Sequence, residues 1–215
     1  ANISLKVSCK RDTQILTQVD QPVYHLKVDR SVCLLLYHSE DLQGEIMLKF
    51  MNKLKGDGAA LPPLPSKQAL LIAWLGGFLT IAVIAGLAQS LEITLILGSF
   101  GASCVLVFGF PDAPFSQPRN VIAGHFLSSL VGLCFLALCG VTWWAVALAV
   151  ATAIVLMMAT RTTHPPAGSN PVIVFMIQPS WDFLLFPTLS GAVLIVGVAL
   201  IYLNISRQTN YPKYW

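Results

Sequence analysis

Charge is what this chain has least of. Asp, Glu, Lys and Arg make up 11% of its residues, against about 25% in an ordinary soluble domain. The shortage is local. Residues 1–67 hold nine of the 13 Lys+Arg and seven of the 10 Asp+Glu, whereas Gln68 to Ser206 contains only Glu92, Asp112, Arg119, Arg161 and Asp182. Uncharged runs of that length exclude a water-soluble fold for the second part and predict a polytopic membrane domain. Other shortages narrow the chemistry. The five cysteines, Cys9, Cys33, Cys104, Cys134 and Cys139, have neither metal-ligand nor disulfide spacing and read as small buried apolar residues. A nucleophile–base pair, a metal-ligand cluster and a phosphate-binding loop are all missing from the sequence. The expectation is therefore a protein that is not an enzyme, with no cofactor, no metal and no catalytic residue. The net charge of +3 is spread among interleaved acids and bases, which argues against nucleic acid as a partner. The chain opens on Ala1 without an initiator Met or a signal peptide, so an upstream segment is expected to have been removed or to lie outside this sequence.

What is present divides into four stretches. Residues 1–58 read as a small soluble α+β module. Strands are expected over Ile3–Cys9, Pro22–Asp29 and Val32–Tyr37, and a helix from an N-cap at Ser39 to a stop at Gly56. Residues 59–67 form a proline-rich linker, 68–206 the membrane domain and 207–215 a C-terminal tail. Within the membrane domain, Gln68–Leu91, Ile93–Phe110 (interrupted at Gly98–Gly101), two helices divided near Gly140, Thr162–Trp181 and a regular Phe183–Ser206 make six crossings. This count puts Lys67, Arg119, Arg161, Arg207 and Lys213 on the cytoplasmic or stromal side with both termini, and Glu92 and Asp182 opposite.

Thr163-His164-Pro165-Pro166-Ala167-Gly168-Ser169-Asn170-Pro171 is the densest motif. Its prolines exclude a regular helix, and non-helical backbone at membrane depth survives only where protein buries it or it lines a cavity. Extended chain followed by a short helix is expected here, with Asn170 as N-cap and Pro171 in the first helical turn. Extended residues adding about 20 Å to a helix of about 12 Å would cross a core of about 30 Å. A shift of 67 residues places Gly101 on Gly168, Ser103 on Asn170, Val105–Phe108 on Val172–Phe175 and Gly124 on Gly191. That pattern predicts two inverted three-helix repeats with broken helices in corresponding positions, a transporter signature.

These features select the candidate site. Ser99, Gly101, Ser103, Thr163, His164, Gly168, Ser169 and Asn170 surround the two expected helix starts, whose N-termini favour an anion without a buried lysine. His125 and His164 are candidates for donating to the anion or relaying protons. Arg119, Asn120 and His125 are placed at a vestibule or gate. Arg119 starts a helix, where the dipole opposes a cation, so Asp112 or a passing anion is expected to compensate it. Gly76, Gly77 and Gly86 are expected to serve helix packing.

Two of these stretches, THPPAGSNP (Thr163–Pro171) and GSFGASCVLVFGFPDAPFSQPRNVIAGH (Gly98–His125), resemble the HPP family of integral membrane proteins. The resemblance implies a transporter-like fold. Cyanobacterial and plastid members are associated with nitrite transport, which implies a small inorganic anion, nitrite first, as the solute. It also implies a bacterial (cyanobacterial) inner membrane or a plastid inner envelope as the location. The bilayer and the anion are the expected partners, with a homo-oligomer left open. The alternatives are a channel-like protein for another small solute, or a membrane sensor whose soluble module signals.

Overall fold

A computed structural model describes residues 15–17, 24–26 and 45–215. The chain separates into two units, Ala1–Pro63 and Leu64–Trp215. In the first unit, β1 (Ile15–Thr17) pairs antiparallel with β2 (Tyr24–Leu26), Leu16 opposite His25. β2 lies inside the expected Pro22–Asp29 strand, whereas β1 was not anticipated: three residues are too short a run to show alternation. The strands expected over 3–9 and 32–37, and the Ser39 cap, lie outside the described residues. Residues 45–54 form helix α1, within the expected helix. A Glu45–Lys49 pair one turn apart runs along its exposed surface. The helix ends just before Gly56, which takes the positive φ of 70° that a stop requires.

The second unit is helical: α2 (Lys67–Leu91), α3 (Gly98–Gly109), α4 (Pro118–Cys139), α5 (Trp143–Ala159), α6 (Asn170–Ile177) and α7 (Ser190–Ser206). Ser66 caps α2 by accepting from the Ala69 amide at 3.1 Å, so Lys67 belongs to the helix rather than to the linker. At 1.5 Å per residue, α2 is about 38 Å long and α4 about 33 Å. Both are long and apolar enough to cross a membrane, as is the kinked Trp181–Ser206 stretch. α3 and α5 are shorter apolar helices. Gly140 closes α4 with φ 64°, and the Thr142 hydroxyl caps α5, which sets the break where the sequence predicts it.

Three local expectations are corrected. Gly98–Gly101 does not interrupt a helix. Residues 93–97 are non-helical, and α3 starts at Gly98. Pro165–Ser169 is a 3-10 turn rather than extended chain. The two prolines occupy its first positions, where their fixed φ fits and the missing N–H is not needed. At about 2 Å per residue the turn adds about 10 Å to an α6 of about 12 Å, less than the expected span. The last segment is not regular from Phe183 onward: a 3-10 turn and a π turn precede α7. Phe186, at φ −129° and ψ 116°, is extended because Pro187 follows it.

Close packing is set by four glycines. A Cβ on Gly76 or Gly191 would collide with the rings of Phe108 and Phe100 respectively. A Cβ on Gly124 would stand 2.8 Å from His164 Cβ and 2.9 Å from the Thr162 carbonyl oxygen, and one on Gly132 2.9 Å from Pro171 Cα. Of the first-helix glycines, Gly76 meets the packing expectation, while Gly86 is exposed with nothing within 4 Å of its Cβ position. α2 packs on α3 and α7, and α5 packs on α4 and α6. The main apolar core lies among α2, α3, α4 and α7, with Ile84, Phe100, Val107, Val121 and Ile195 fully buried.

Candidate functional site

Polar side chains are scarce in this unit, and seven of the buried ones come together. α3 contributes Ser99 and Ser103 from one face, α4 contributes His125, Ser128 and Ser129, and the segment entering α6 contributes His164 and Asn170. All seven are buried. Gly124 makes this possible, because its missing side chain lets the backbone of Thr162–His164 rest on α4. Ser103 Oγ lies 2.9 Å from His125 Nε2 and 2.8 Å from His164 Nε2. His164 Nδ1 is 2.7 Å from the Phe115 carbonyl oxygen. Asn170 Nδ2 is 3.1 Å from His125 Nδ1, 3.3 Å from the His125 carbonyl oxygen and 2.9 Å from Ser129 Oγ. Ser129 continues to Thr188 at 3.1 Å, and Ser128 donates to the Ala167 carbonyl at 2.6 Å.

Hydrogen-bond chemistry gives this chain a direction. The Phe115 carbonyl only accepts, so His164 Nδ1 carries a proton and, in a neutral ring, Nε2 accepts from Ser103, whose hydroxyl also reaches the Ser99 carbonyl at the longer distance of 3.1 Å. The His125 carbonyl likewise only accepts, which orients the Asn170 amide with its NH2 group toward His125. His125 Nδ1 then accepts, and Nε2–H donates to Ser103. The sequence of donors runs Asn170 to His125 to Ser103 to His164 to Phe115. The two imidazoles lie 5.0 Å apart, and Phe100 packs edge-on at 5.2 Å from His125.

The structure thus gathers Ser103, His125, His164 and Asn170, with Ser99 one turn from Ser103 on α3. His125, expected at a vestibule, belongs to this centre. Asn170 is not an N-cap: it has helical φ and ψ and its side chain holds α4 instead of the helix start. Gly101 and Ser169 are exposed and Gly168 is half-buried, with nothing within 4 Å of either glycine's Cβ position. Ser169 Oγ donates to the Pro166 carbonyl. Thr163 contributes its backbone carbonyl, which accepts from Asn120 Nδ2 at 3.0 Å.

Arg119 is compensated differently from the expectation. Its guanidinium donates to the Thr160 carbonyl at the C-terminal end of α5, 3.2 Å away, where the helix dipole favours a cation. Asp112 pairs with Arg207 at 2.6 Å and Lys213 at 3.2 Å. Slight burial pushes its carboxyl upward, but the bonds from Arg207 and Lys213 outweigh this and hold it below the usual carboxylate range. The C-terminal residues strap this same loop. Tyr211 Oη donates to the Ser116 carbonyl, the Lys213 amide to Gln117 Oε1, and Tyr214 Oη to Asn120 Oδ1. The loop so held carries the Phe115 carbonyl that fixes His164.

Sequence reasoning missed Ser128, Ser129, Thr188 and Gln117. Ser129 was findable, since it stands four residues after His125 on the same helix face. Thr188 has no local signal, because only the irregular turn at Pro187 brings it to Ser129.

The chain matches the family described as "HPP, transmembrane region" over residues 62–212. It is 36% identical over 182 residues to a transmembrane protein of Dictyostelium discoideum, covering 79% of this chain and 64% of that protein. A second transmembrane protein of the same organism is 35% identical over 180 residues, covering 78% and 58%. The chain spans about three fifths of the length of these curated relatives. No solved structure matches it.

Proposed function

The chain belongs to the HPP family of transmembrane proteins, and from that premise we propose that it carries a small inorganic anion across a membrane, with nitrite the first solute to test. The observation that carries the reading is the buried chain from Asn170 to Phe115. Polar groups are costly among apolar helices, and those in a membrane domain mark solute or proton paths. α3 and α6 are the two short helices of the unit, and each is reached through non-α backbone. That is the arrangement expected where a solute meets helix starts near the bilayer midplane.

The inverted repeat is part of the same proposal. Gly124 rests on the carbonyl of Thr162, and Gly191, 67 residues later, faces the carbonyl of Leu95, 67 residues before Thr162. An exchange of contacts between halves is what an internal twofold relation requires, and it supports six crossings in two units of three. Asp112, Arg207 and Lys213 share one end of the bundle with the first turns of α2, whose Ala69 and Ile72 line a pocket with Asp112 and Arg207. On the positive-inside rule this supports reading that end, with both termini, as the cytoplasmic or stromal side, and the proposed location is a bacterial inner membrane or a plastid envelope.

Proteoliposomes holding the full chain, given nitrite, nitrate, formate or chloride, test the reading. Nitrite uptake above that of empty liposomes is expected, and equal uptake in both rejects it. A channel for a small neutral solute is the second reading. It is favoured by the lack of Lys or Arg at the polar centre among the described residues, and glycerol or urea flux without nitrite flux selects it.

A further inference from the structure

The polar centre leaves one carboxamide acceptor and one hydroxyl to spare. His125 Nε2–H is committed to Ser103, the Ser103 hydroxyl is shared between His164 at 2.8 Å and the Ser99 carbonyl at 3.1 Å, His164 Nδ1–H is committed to Phe115, Ser128 to Ala167, and the Asn170 amide to His125 and Ser129. Asn170 Oδ1 and Ser99 Oγ remain buried without a partner. Asn170 is fully buried and Ser99 is 3% exposed. A carboxamide oxygen can only accept, and leaving it unpaired costs about 1–3 kcal/mol. A bare anion would bring further lone pairs to that oxygen with no cation to offset them. Arg119 is exposed and engaged by Thr160. The titratable groups around the centre are His125 from α4, His164 from the segment entering α6 and Cys104 beside Ser103 on α3. α5 contributes none, and Tyr202 of α7 packs against Phe108 instead.

Resting on the transport reading above, we propose that the centre takes its solute in the protonated, neutral form: a small weak acid with one O–H, which for nitrite is nitrous acid. Its proton is donated to Asn170 Oδ1, and the Ser99 hydroxyl, on the neighbouring turn of α3 from Ser103, is the uncommitted donor for its other oxygen. The anion takes a proton from water on one side, crosses as the acid, and releases the proton on the other side. Each solute molecule therefore moves one proton and no net charge.

The test uses the full chain in proteoliposomes loaded with a pH-sensitive dye, with an inward nitrite gradient and empty liposomes subtracted to remove unassisted permeation of the acid. Acidification of the lumen in step with nitrite uptake is expected. The rate should be unchanged when potassium and valinomycin set the membrane potential, and nitrate, which stays deprotonated, should not be carried. Nitrite uptake without acidification, accelerated by an inside-positive potential, overturns this inference and leaves anion transport standing. Absence of uptake for nitrite, nitrate, formate and chloride alike overturns the transport reading and this inference with it. Asn170→Leu should lower nitrite uptake roughly tenfold, the value of one lost hydrogen bond of about 1.4 kcal/mol. Because Asn170 also ties α4 to α6, Ser99→Ala is the companion variant, since it removes a hydroxyl that holds nothing in the fold. A several-fold loss of uptake is expected, and wild-type uptake in Ser99→Ala overturns the place of Ser99 in the site.

Discussion

Gly124 in α4 and Gly191 in α7 make matching contacts in the two halves of the membrane part, yet the halves carry different chemistry. Each glycine brings its helix against a backbone carbonyl of the non-helical segment of the other half. Beyond that contact the correspondence lapses. The 67-residue shift sets His125 against Ala192 and His164 against Leu97, and of the residues in the polar centre only Ser103 and Asn170 pair polar with polar. The polar centre therefore forms on the α4 side, while the residues 67 positions after His125, Ser128 and Ser129, namely Ala192, Ile195 and Val196 of α7, belong to the apolar core. Close glycine contacts of this kind depend on shape alone and can recur. A single polar centre cannot, because each added buried polar group needs its own partner.

The strongest way to break the comparison is at Asn170 against Ser103. Asn170→Ala strips bonds from His125 and Ser129 and leaves buried groups unpaired. A loss of about 1–3 kcal/mol for each is expected, more than the loss of a helix cap, and is read as a lower thermal midpoint in detergent. Ser103→Ala leaves both imidazoles short of one partner and should cost less. Equal midpoints for the two variants would remove Asn170 from its place as the tie between α4 and α6.

The two glycines give the next largest effect. Gly124→Ala meets backbone at 2.9 Å, whereas Gly191→Ala meets mainly the Phe100 ring, which can turn, and backbone at 3.1 Å. Overpacking of about 1–3 kcal/mol is expected, greater for Gly124. Gly101→Ala and Gly168→Ala, with nothing within 4 Å, should fold as wild type. Thermal denaturation of all four variants tests the ranking, and a large loss at Gly168 would place it in a packed contact.

Topology sharpens the same comparison without altering stability. In a background free of native cysteines, single cysteines at 92 and 182 should react with an impermeant thiol reagent from one side and a cysteine at 209 from the other. Labelling of 182 and 209 from the same side would make the fifth segment re-entrant and remove the proposed inverted relation.

The smallest effect concerns Asp112. Its carboxyl is lowered in the folded state, so the stability from Arg207 and Lys213 is present above the unfolded carboxylate pKa and lost as pH falls through the folded one. Exposure to solvent keeps this contribution small. Midpoints measured from neutral to acid pH should fall less in Asp112→Asn than in wild type. An identical acid profile would show that the strap of residues 207–215 is held by Tyr211 and Lys213 backbone bonds alone.

The sequence by itself determined that residues 68–206 are a membrane part, where Gly140 divides two helices, and that the HPP stretch cannot be a regular helix. Each of these rests on local chemistry: absent charge, a glycine at positive φ, prolines without N–H groups. It also pointed to Ser103, His125, His164 and Asn170 as the residues to watch. Only the tertiary structure decided how they act together. Asn170 turns its amide toward α4 because the 3-10 turn before it has already placed α6 on Gly132 and Ser129. Arg119 meets the α5 terminus, not Asp112, because the C-terminal tail has already taken that carboxylate. Partners separated by 41 to 96 residues, such as Asn170 with Ser129 or Lys213 with Gln117, leave no trace in local spacing. They exist because close helix packing at four glycines leaves each buried polar group only a few places to find a bond.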